Sequence, residues 1–426
     1  MFLLFVAPCC KCNLLFSELI LLMMFLSMNY IFFSWETMSF ILSTFMFFDK
    51  LSLYMIMMTM FICSMMILTI KMSKSIIYII LIMMNILFYL FSTTNLIIFF
   101  ALFELSIIPV IFLILGWGYQ PERLEALLNF FFFTTFPSSP FLIYILTNFF
   151  YNSMIFINFY SNLNTNFNMF FMYLIFLVKI PLFLLHFWLP KAHVEAPVFG
   201  SMILAGILLK MGGYGLIRFM FLSSSMIFVY IITSISILGM VMSCLMCFLS
   251  PDLKSIIAYS SVSHMNFIVA GLLSEKMISY SSSLLLMLSH ALSSSGMFFL
   301  CDVLYKRSYS RSIFLNKSMK IISPMISFWW FFFCIINMSF PLTPSNLSEL
   351  LISLILLKNF YFLVWLMLGL YFLLTAYYSM YIYYMVSHGS ESNVMVNSLT
   401  MKENLILLCH FIPCIFMALY CFMMKM

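Results

Sequence analysis

The sequence predicts an all-α polytopic membrane protein of about fourteen transmembrane helices, and three observations carry that prediction. Apolar residues fill 65% of the 426 positions and charged residues only 8%, whereas a soluble domain is about a quarter charged. Apolar stretches of roughly 20 residues recur along the whole chain, each long enough to cross a hydrocarbon core about 30 Å thick. The stretches are continuous and do not alternate. A backbone in lipid must pair its own amides, so the choice lies between helices and a closed barrel, and unbroken apolar runs select helices. No strand is expected.

The spans read as 13 to 34, 51 to 70, 76 to 91, 95 to 116, 126 to 149, 169 to 190, 196 to 217, 225 to 248, 253 to 273, 279 to 304, 321 to 357 (broken), 360 to 386 and 403 to 423, with a short apolar run at 1 to 10 counted as the first. The opening residues MFLLFVAPCCKCNLLF lack a basic start and a small-residue cleavage site. They are expected to be mature chain and not a removed signal. The loops are short, the longest polar ones being 152 to 168, 305 to 320 and 387 to 402. The reading is therefore one integral membrane domain over 1–426: N-terminal helices to 75, five-helix blocks at 76–217 and 225–386, and a C-terminal loop and helix from 387.

The net charge of +6 comes from cations scattered singly between apolar runs, which forms no basic face for nucleic acid. Their use is orientation. Loops after odd-numbered spans carry Lys71, Lys74, Arg123, Lys191, Lys254, Lys306, Arg307, Arg311, Lys317, Lys320 and Lys402, against Lys50, Arg218, Lys276 and Lys358 after even-numbered ones. The richer set is expected on the matrix or cytoplasmic side. Eleven cysteines, most of them inside spans, imply no disulfide framework.

Two spans are expected to be interrupted by proline in a way that helices seldom tolerate. In LVKIPLFLLHFWLP, Pro181 follows Lys179 by two residues; in INMSFPLTPSNLSELL, Pro341 and Pro344 precede Glu349. These are spans seven and twelve, each the fourth member of a five-helix block if the blocks begin at spans four and nine. Broken helices at corresponding places point to an inverted-repeat transporter with its ion path at the breaks. Simple kinking of two helices is the plainer alternative.

Ionisable side chains near mid-bilayer cost about 2.5 to 3.5 kcal/mol on insertion scales and need a reason. Glu104, Lys179, Lys210, His264, His290 and Glu349 stand on six different spans. A carboxylate, two amines and imidazoles can hand protons along, because each has an accessible second protonation state. Arg could not, and none occupies these positions. Ser106, Ser260, Ser261, Ser263, Ser293, Ser294 and Ser295 are candidates to hold bridging waters. The competing reading is that the charges are buried pairs fixing helix packing, or chains that snorkel to an interface, as the long stems of Lys179 and Lys210 allow. For His186, His193, His388 and His410 a structural role is the expectation.

Redox motifs are missing. GGYG at 212 to 215 lies in a membrane helix, where close packing explains it. Cys244 and Cys247 form one CxxC spacing with no second pair, so no metal or iron–sulfur site is expected.

The segment HFWLPKAHVEAPVFGSMILAGILLKMGGYGLIRF, at 186 to 219, closely resembles the signature of the subunit 4 family of respiratory complex I. Further likenesses are FELSIIPVIFLILGWGYQPERLEA (103 to 126), PDLKSIIAYSSVSHMNF (251 to 267), SHALSSSGMFFLC (289 to 301) and RSYSRSIFLNKS (307 to 318). The WGYQPER segment points to subunit 4 among its antiporter-like relatives. The resemblance implies fourteen spans, two inverted five-helix repeats (spans 4 to 8 and 9 to 13) and a central hydrophilic axis. It implies that Glu104 and Lys179 form a charged pair, that Lys210 is the central lysine, that His264 and His290 link onward, and that Glu349 is the exit-side acid. It further implies a proton-translocating subunit that holds no cofactor of its own, with NADH, FMN, iron–sulfur clusters and ubiquinone bound by other subunits. Expected partners are the other membrane-arm subunits, sister antiporter-like subunits included, and membrane lipids. The expected place is the mitochondrial inner membrane. No Arg-rich transit sequence is seen, so the chain would be made inside the organelle, and 41 Met and 53 Phe agree with a code that reads extra codons as Met.

Several positions depart from the family pattern. The N-terminus is short, so the first span is expected to be incomplete. Phe340 and Ser348 stand where the family has Gly, Asp302 where it more often has Asn, and Phe199 where it has a small residue. Two rival functions stay open at this point: a cation/proton antiporter subunit on the same fold, and a passive membrane scaffold of complex I.

Overall fold

The computed structural model describes residues 40–43, 46–70, 74–118, 120–151, 166–220, 226–359, 362–389 and 398–423. The expected spans at 1 to 10 and 13 to 34 lie outside the described residues.

The first described element corrects the expectation of no strand. Phe40–Ser43 (β1) and Met46–Phe48 (β2) form a short antiparallel ribbon, Phe40 opposite Phe48. It lies between two expected spans, where backbone amides pair across a hairpin without needing a helix.

Among the described residues the other elements are helices, apart from an isolated bridge between Asp252 and Ser312. The Ser52 hydroxyl accepts the Asp49 amide at 2.8 Å and opens α1 (Lys50–Thr69); α2 (Lys74–Ser92) follows. Asn95 caps α3 (Leu96–Leu105) by accepting the Ile97 amide at 3.2 Å. The span then breaks at Ser106 and resumes as α4 (Ile107–Trp117). The expected single span 95 to 116 is thus two helices. Pro109 supplies the reason, because it lacks the N–H that would have bonded back to the carbonyl four residues earlier.

Next come α5 (Arg123–Tyr151), α6 (Asn166–Lys179) and α7 (Trp188–Glu195). The break between α6 and α7 falls where Pro181 placed it. α8 (Val198–Ile203) passes through a π turn at Leu204–Leu208 into α9 (Leu209–Met220). The second half holds α10 (Met226–Leu249), α11 (Leu253–Leu272), α12 (Met277–Ser308), the single turn α13 (Met319–Ile322) and α14 (Pro324–Asn337). The second break, at Pro341, separates α14 from α15 (Pro344–Asn359). α16 (Phe362–Ser387) and α17 (Met401–Met423) complete the chain.

Among the described residues ten helices are long and apolar enough to cross a membrane. The two other expected spans there are the broken ones. Each break holds a leucine in the left-handed region, Leu184 at φ 83° and Leu342 at φ 81°, a backbone state that costs a branched side chain energy.

Three spans form the centre. The apolar windows of Val198–Phe219, Met277–Ser308 and Leu253–Leu272 are 100%, 94% and 89% buried, against 33% for the flanking Val364–Ser387. α10 lies along α11, while α12 packs on α11, α14, α15 and α17. Small residues permit this closeness. A Cβ on Gly212 would stand 2.9 Å from the Ile180 amide nitrogen and 3.1 Å from Lys179 Cβ, so glycine lets α9 touch the first break.

The loops sort to two ends as the charge count requires. Lys191 pairs with Glu125 at 2.8 Å. Arg311 donates to the Val194 carbonyl at 2.6 Å, and the Leu253 amide to the Arg311 carbonyl at 3.1 Å. Arg307 reaches the Ser398 carbonyl and Glu403. Every one of these contacts joins loops or span ends that follow odd-numbered spans. Arg218, from an even-numbered loop, pairs with Asp49.

Candidate functional site

Four of the six singled-out residues meet in one line through the centre of the bundle. Lys210 begins it, 2% exposed, two residues past the π segment. A π turn widens the helix and is common at functional positions. Here the Lys210 ammonium donates to the carbonyl of Ala205 within that turn. On its other side Nζ lies 2.8 Å from His290 Nδ1, on α12.

The His290 and His264 rings follow, their centroids 5.5 Å apart. His264 Nδ1 stands 3.1 Å from Glu349 Oε1. Glu349 is 1% exposed, set by the first turns of α15 beyond the second break. The chain of contact thus runs from an amine through two imidazoles to a carboxylate, and every member can hold or release a proton.

Two tyrosines that sequence reading passed over complete this end. The Tyr371 hydroxyl donates to Glu349 Oε1 at 3.3 Å and lies 3.1 Å from His264 Nδ1. The Tyr378 hydroxyl lies 3.4 Å from His264 Nε2. They stand seven residues apart on α16, hence on one face, and that spacing was the signal available.

The other two residues are not joined to the line by contact. Lys179 is buried at the end of α6, and its ammonium lies 4.4 Å from the centre of the Phe103 ring. Its Nζ has no hydrogen-bond partner among the described residues, nor has Glu104 Oε1. Glu104 and Lys179 are neighbours in space but not an ion pair in contact; Phe103, next in sequence to Glu104, takes the ammonium on its π face instead. Buried polar groups of this kind are completed by protein or by ordered water.

The serines bond locally. Ser106, Ser260, Ser261, Ser263, Ser293, Ser294 and Ser295 each donate to a carbonyl three or four residues earlier in their own helix. Their protons are committed to the backbone, so only their lone pairs are left to face the axis.

Three further buried groups neighbour one another, and the first of them, His193, is within electrostatic reach of Lys210. His193 is fully buried, with its ring 4.6 Å from that of Phe298 and parallel to it. Lys254, counted as a loop charge from sequence, is 2% exposed and donates to the Ala196 carbonyl at 2.9 Å. Asp302, also buried, pairs with Lys306. His186 stacks against Phe183 and Phe187 within the first break. His410 donates to the Ile406 carbonyl at 2.8 Å, and His388 stacks on Tyr384. Among the described residues no group of three His, Cys, Asp or Glu side chains could hold a metal.

Residues 93–376 match the family described as NADH:quinone oxidoreductase/Mrp antiporter, TM. A protein named NADH-ubiquinone oxidoreductase chain 4 from Rhipicephalus sanguineus is 42% identical over 379 residues, covering 87% of each chain. Its namesake from Ceratitis capitata is 44% identical over 364 residues, 82% of this chain and 80% of the relative. Among solved structures, a chain of respiratory complex I from Thermus thermophilus superposes with a TM-score of 0.85 at 20% identity, over 95% of this chain and 90% of that one. A chain of an archaeal membrane-bound sulfane sulfur reductase gives 0.83 at 16% identity, over 98% and 74%. Those two likenesses concern the fold. The sequence matches carry the assignment: the chain belongs to the NADH:quinone oxidoreductase/Mrp antiporter transmembrane family, within its NADH-ubiquinone oxidoreductase chain 4 branch.

Proposed function

We propose that this chain is the antiporter-like, proton-translocating subunit 4 of respiratory complex I, in the mitochondrial inner membrane. Redox energy released in partner subunits, which hold the cofactors, drives protons along its buried axis. The chain itself has no redox role. One observation carries the reading most: Lys210, His290, His264 and Glu349 touch in sequence across four different helices. A scaffold needs no such line, because burying four titratable groups costs a membrane bundle stability that apolar packing would keep.

Glu104 and Lys179 form the other half of the axis in this proposal. They sit where a shift of the first break would bring them into contact or part them, which changes how firmly each holds its proton. Moving one charge against about 100 mV takes about 2.3 kcal/mol, within reach of such switching. The five-helix blocks at 76–217 and 225–386 would each frame one half, and the loops after odd-numbered spans would face the matrix.

His290→Leu, made at the matching position of a bacterial relative, tests the reading. The expected result is an assembled complex that still reduces quinone but moves fewer protons per electron in sealed vesicles. A scaffold would instead lose assembly, if anything, with protons per electron unchanged. A free-standing antiporter would run without quinone, and native mass spectrometry of the extracted protein would then find it without redox partners.

A further inference from the structure

A cavity of about 290 Å³ opens at the end of the bundle where the odd-numbered loops meet, and Glu122, Glu125, Lys191, Glu195, Ser255 and Tyr259 line it. Two of its carboxylates are exposed: Glu122 lies in the turn before α5 and Glu125 in its first turn, Glu125 paired with Lys191. The third is different. Glu195, the last residue of α7 and between two spans, is 4% exposed, and its Oε2 is buried with no hydrogen-bond partner among the described residues. An unpaired carboxylate oxygen in a buried place needs either a proton or a ligand.

The wall of the cavity is built, not incidental. The turn after α4 packs directly on this residue: a Cβ added at Gly118 would stand 3.2 Å from the Glu195 carbonyl. Arg311 holds the carbonyl of Val194, and Lys254 that of Ala196, so the backbone on either side of Glu195 is pinned by cations from two other elements.

We propose that this cavity is the proton-uptake mouth of the chain and that Glu195, at its floor, is the group that takes the proton from bulk water. The inference rests on the proton-translocating reading above and adds to it where protons enter. The exposed carboxylates of Glu122 and Glu125 draw hydronium to the mouth. An O–H bond forms at Glu195 Oε2 and hydronium is left as water. That bond then breaks and the proton passes to the Lys254 amine, which has first handed its own proton on toward His193 and whose Nζ is held at the next residue's carbonyl. Beyond Lys254 stand His193 and Lys210, the start of the central line, both within each other's electrostatic reach.

The charged and titratable groups that face Glu195 are Glu122 from the turn before α5, Lys254 from α11 and Arg311 from the loop after α12, with Glu125, Lys191 and Tyr259 across the cavity. Burial holds the Glu195 carboxyl above the ordinary carboxylate range against the pull of Arg311; Glu122 adds to the rise and Lys254 opposes it. A raised carboxyl is the better proton acceptor near neutral pH.

The test uses the intact complex in sealed vesicles, with protons per electron followed as the pH on the uptake side is raised. Glu195→Gln is expected to cut this subunit's proton delivery at least tenfold, and Glu195→Asp to restore most of it. Glu122→Gln with Glu125→Gln changes only exposed side chains. It should lower delivery at neutral pH less than Glu195→Gln does and move the alkaline fall-off down by about half a pH unit, because removing nearby negative charge lowers the pH at which Glu195 holds a proton. Delivery by Glu195→Gln equal to wild type, or an unmoved fall-off in the double variant, overturns the proposal; the double variant decides if Glu195→Gln does not assemble. Lys210→Met separates the two readings. If it stops delivery while the carboxylate variants are normal, only the entry site is wrong, and if it too is normal the transport reading fails.

Discussion

Lys210 Nζ and His290 Nδ1 lie 2.8 Å apart, both buried, on helices 80 residues apart in sequence. At that distance the amine and the imidazole cannot both be cationic without strong repulsion, so the pair shares one exchangeable proton. Arg in place of the lysine would keep the charge and lose the exchange. Lys210→Arg should therefore assemble and fold, yet lower proton translocation at least tenfold, within the span that a positioned acid or base contributes. Vesicle acidification measured beside quinone reduction checks it, and undiminished acidification would show that the exchange is not needed.

Tyr371 supports the far end of the line through its hydroxyl, which touches both His264 and Glu349. Tyr371→Phe removes that hydroxyl and keeps the ring stacked on Phe267. The expected loss is about 1 kcal/mol of local hydrogen bonding, seen as a several-fold slower translocation and not as an abolished one. A rate equal to wild type would mean that His264 and Glu349 need no third partner.

Gly212 is where the central helix meets the first break. Its Cβ would stand 2.7 Å from Ile180 Cγ1 as well as against the Ile180 amide nitrogen. Gly212→Ala should cost about 1 to 3 kcal/mol through overpacking, and should reduce the amount of complex recovered at elevated temperature. Full recovery would show that the break yields without strain.

Glu104 and Lys179 are apart in this structure, with the lysine resting on Phe103. If the pair acts by joining and separating, Glu104→Gln leaves a cation with nothing to join. Protons per electron should then fall while quinone reduction by partner subunits continues. A normal ratio in an assembled complex rejects a role for the pair.

Much of this architecture was legible because proline and charge are loud signals in an apolar chain. Pro181 and Pro341 mark breaks that the structure contains, since a missing N–H weakens the helix at that turn, although Pro137, Pro140 and Pro413 sit inside continuous helices. The same logic applied to Pro109 would have found the interruption at Ser106, but the apolar run there drowned it. The hairpin at Phe40–Phe48 left no trace, because short apolar connectors and short strands look alike.

The site was legible as a set of residues and not as a geometry. Lys210, His290, His264 and Glu349 stood out because each is a titratable group in an apolar run, but nothing in their spacing reveals which of them touch. Lys254 was lost for the opposite reason. It sits at a span end, where a lysine normally reaches water, and only the loops crossing over it bury it to 2% exposure. Tyr371 and Tyr378 were invisible as polar groups among 23 tyrosines. Their role comes from facing His264, a tertiary fact.

The most direct measurement is the proton-to-electron ratio of an assembled complex carrying Glu349→Gln, read in sealed vesicles during steady quinone reduction. The line from Lys210 would then end on a side chain that cannot be charged, and the ratio is predicted to drop below that of wild type with electron flow retained. An unchanged ratio would contradict proton passage along this line.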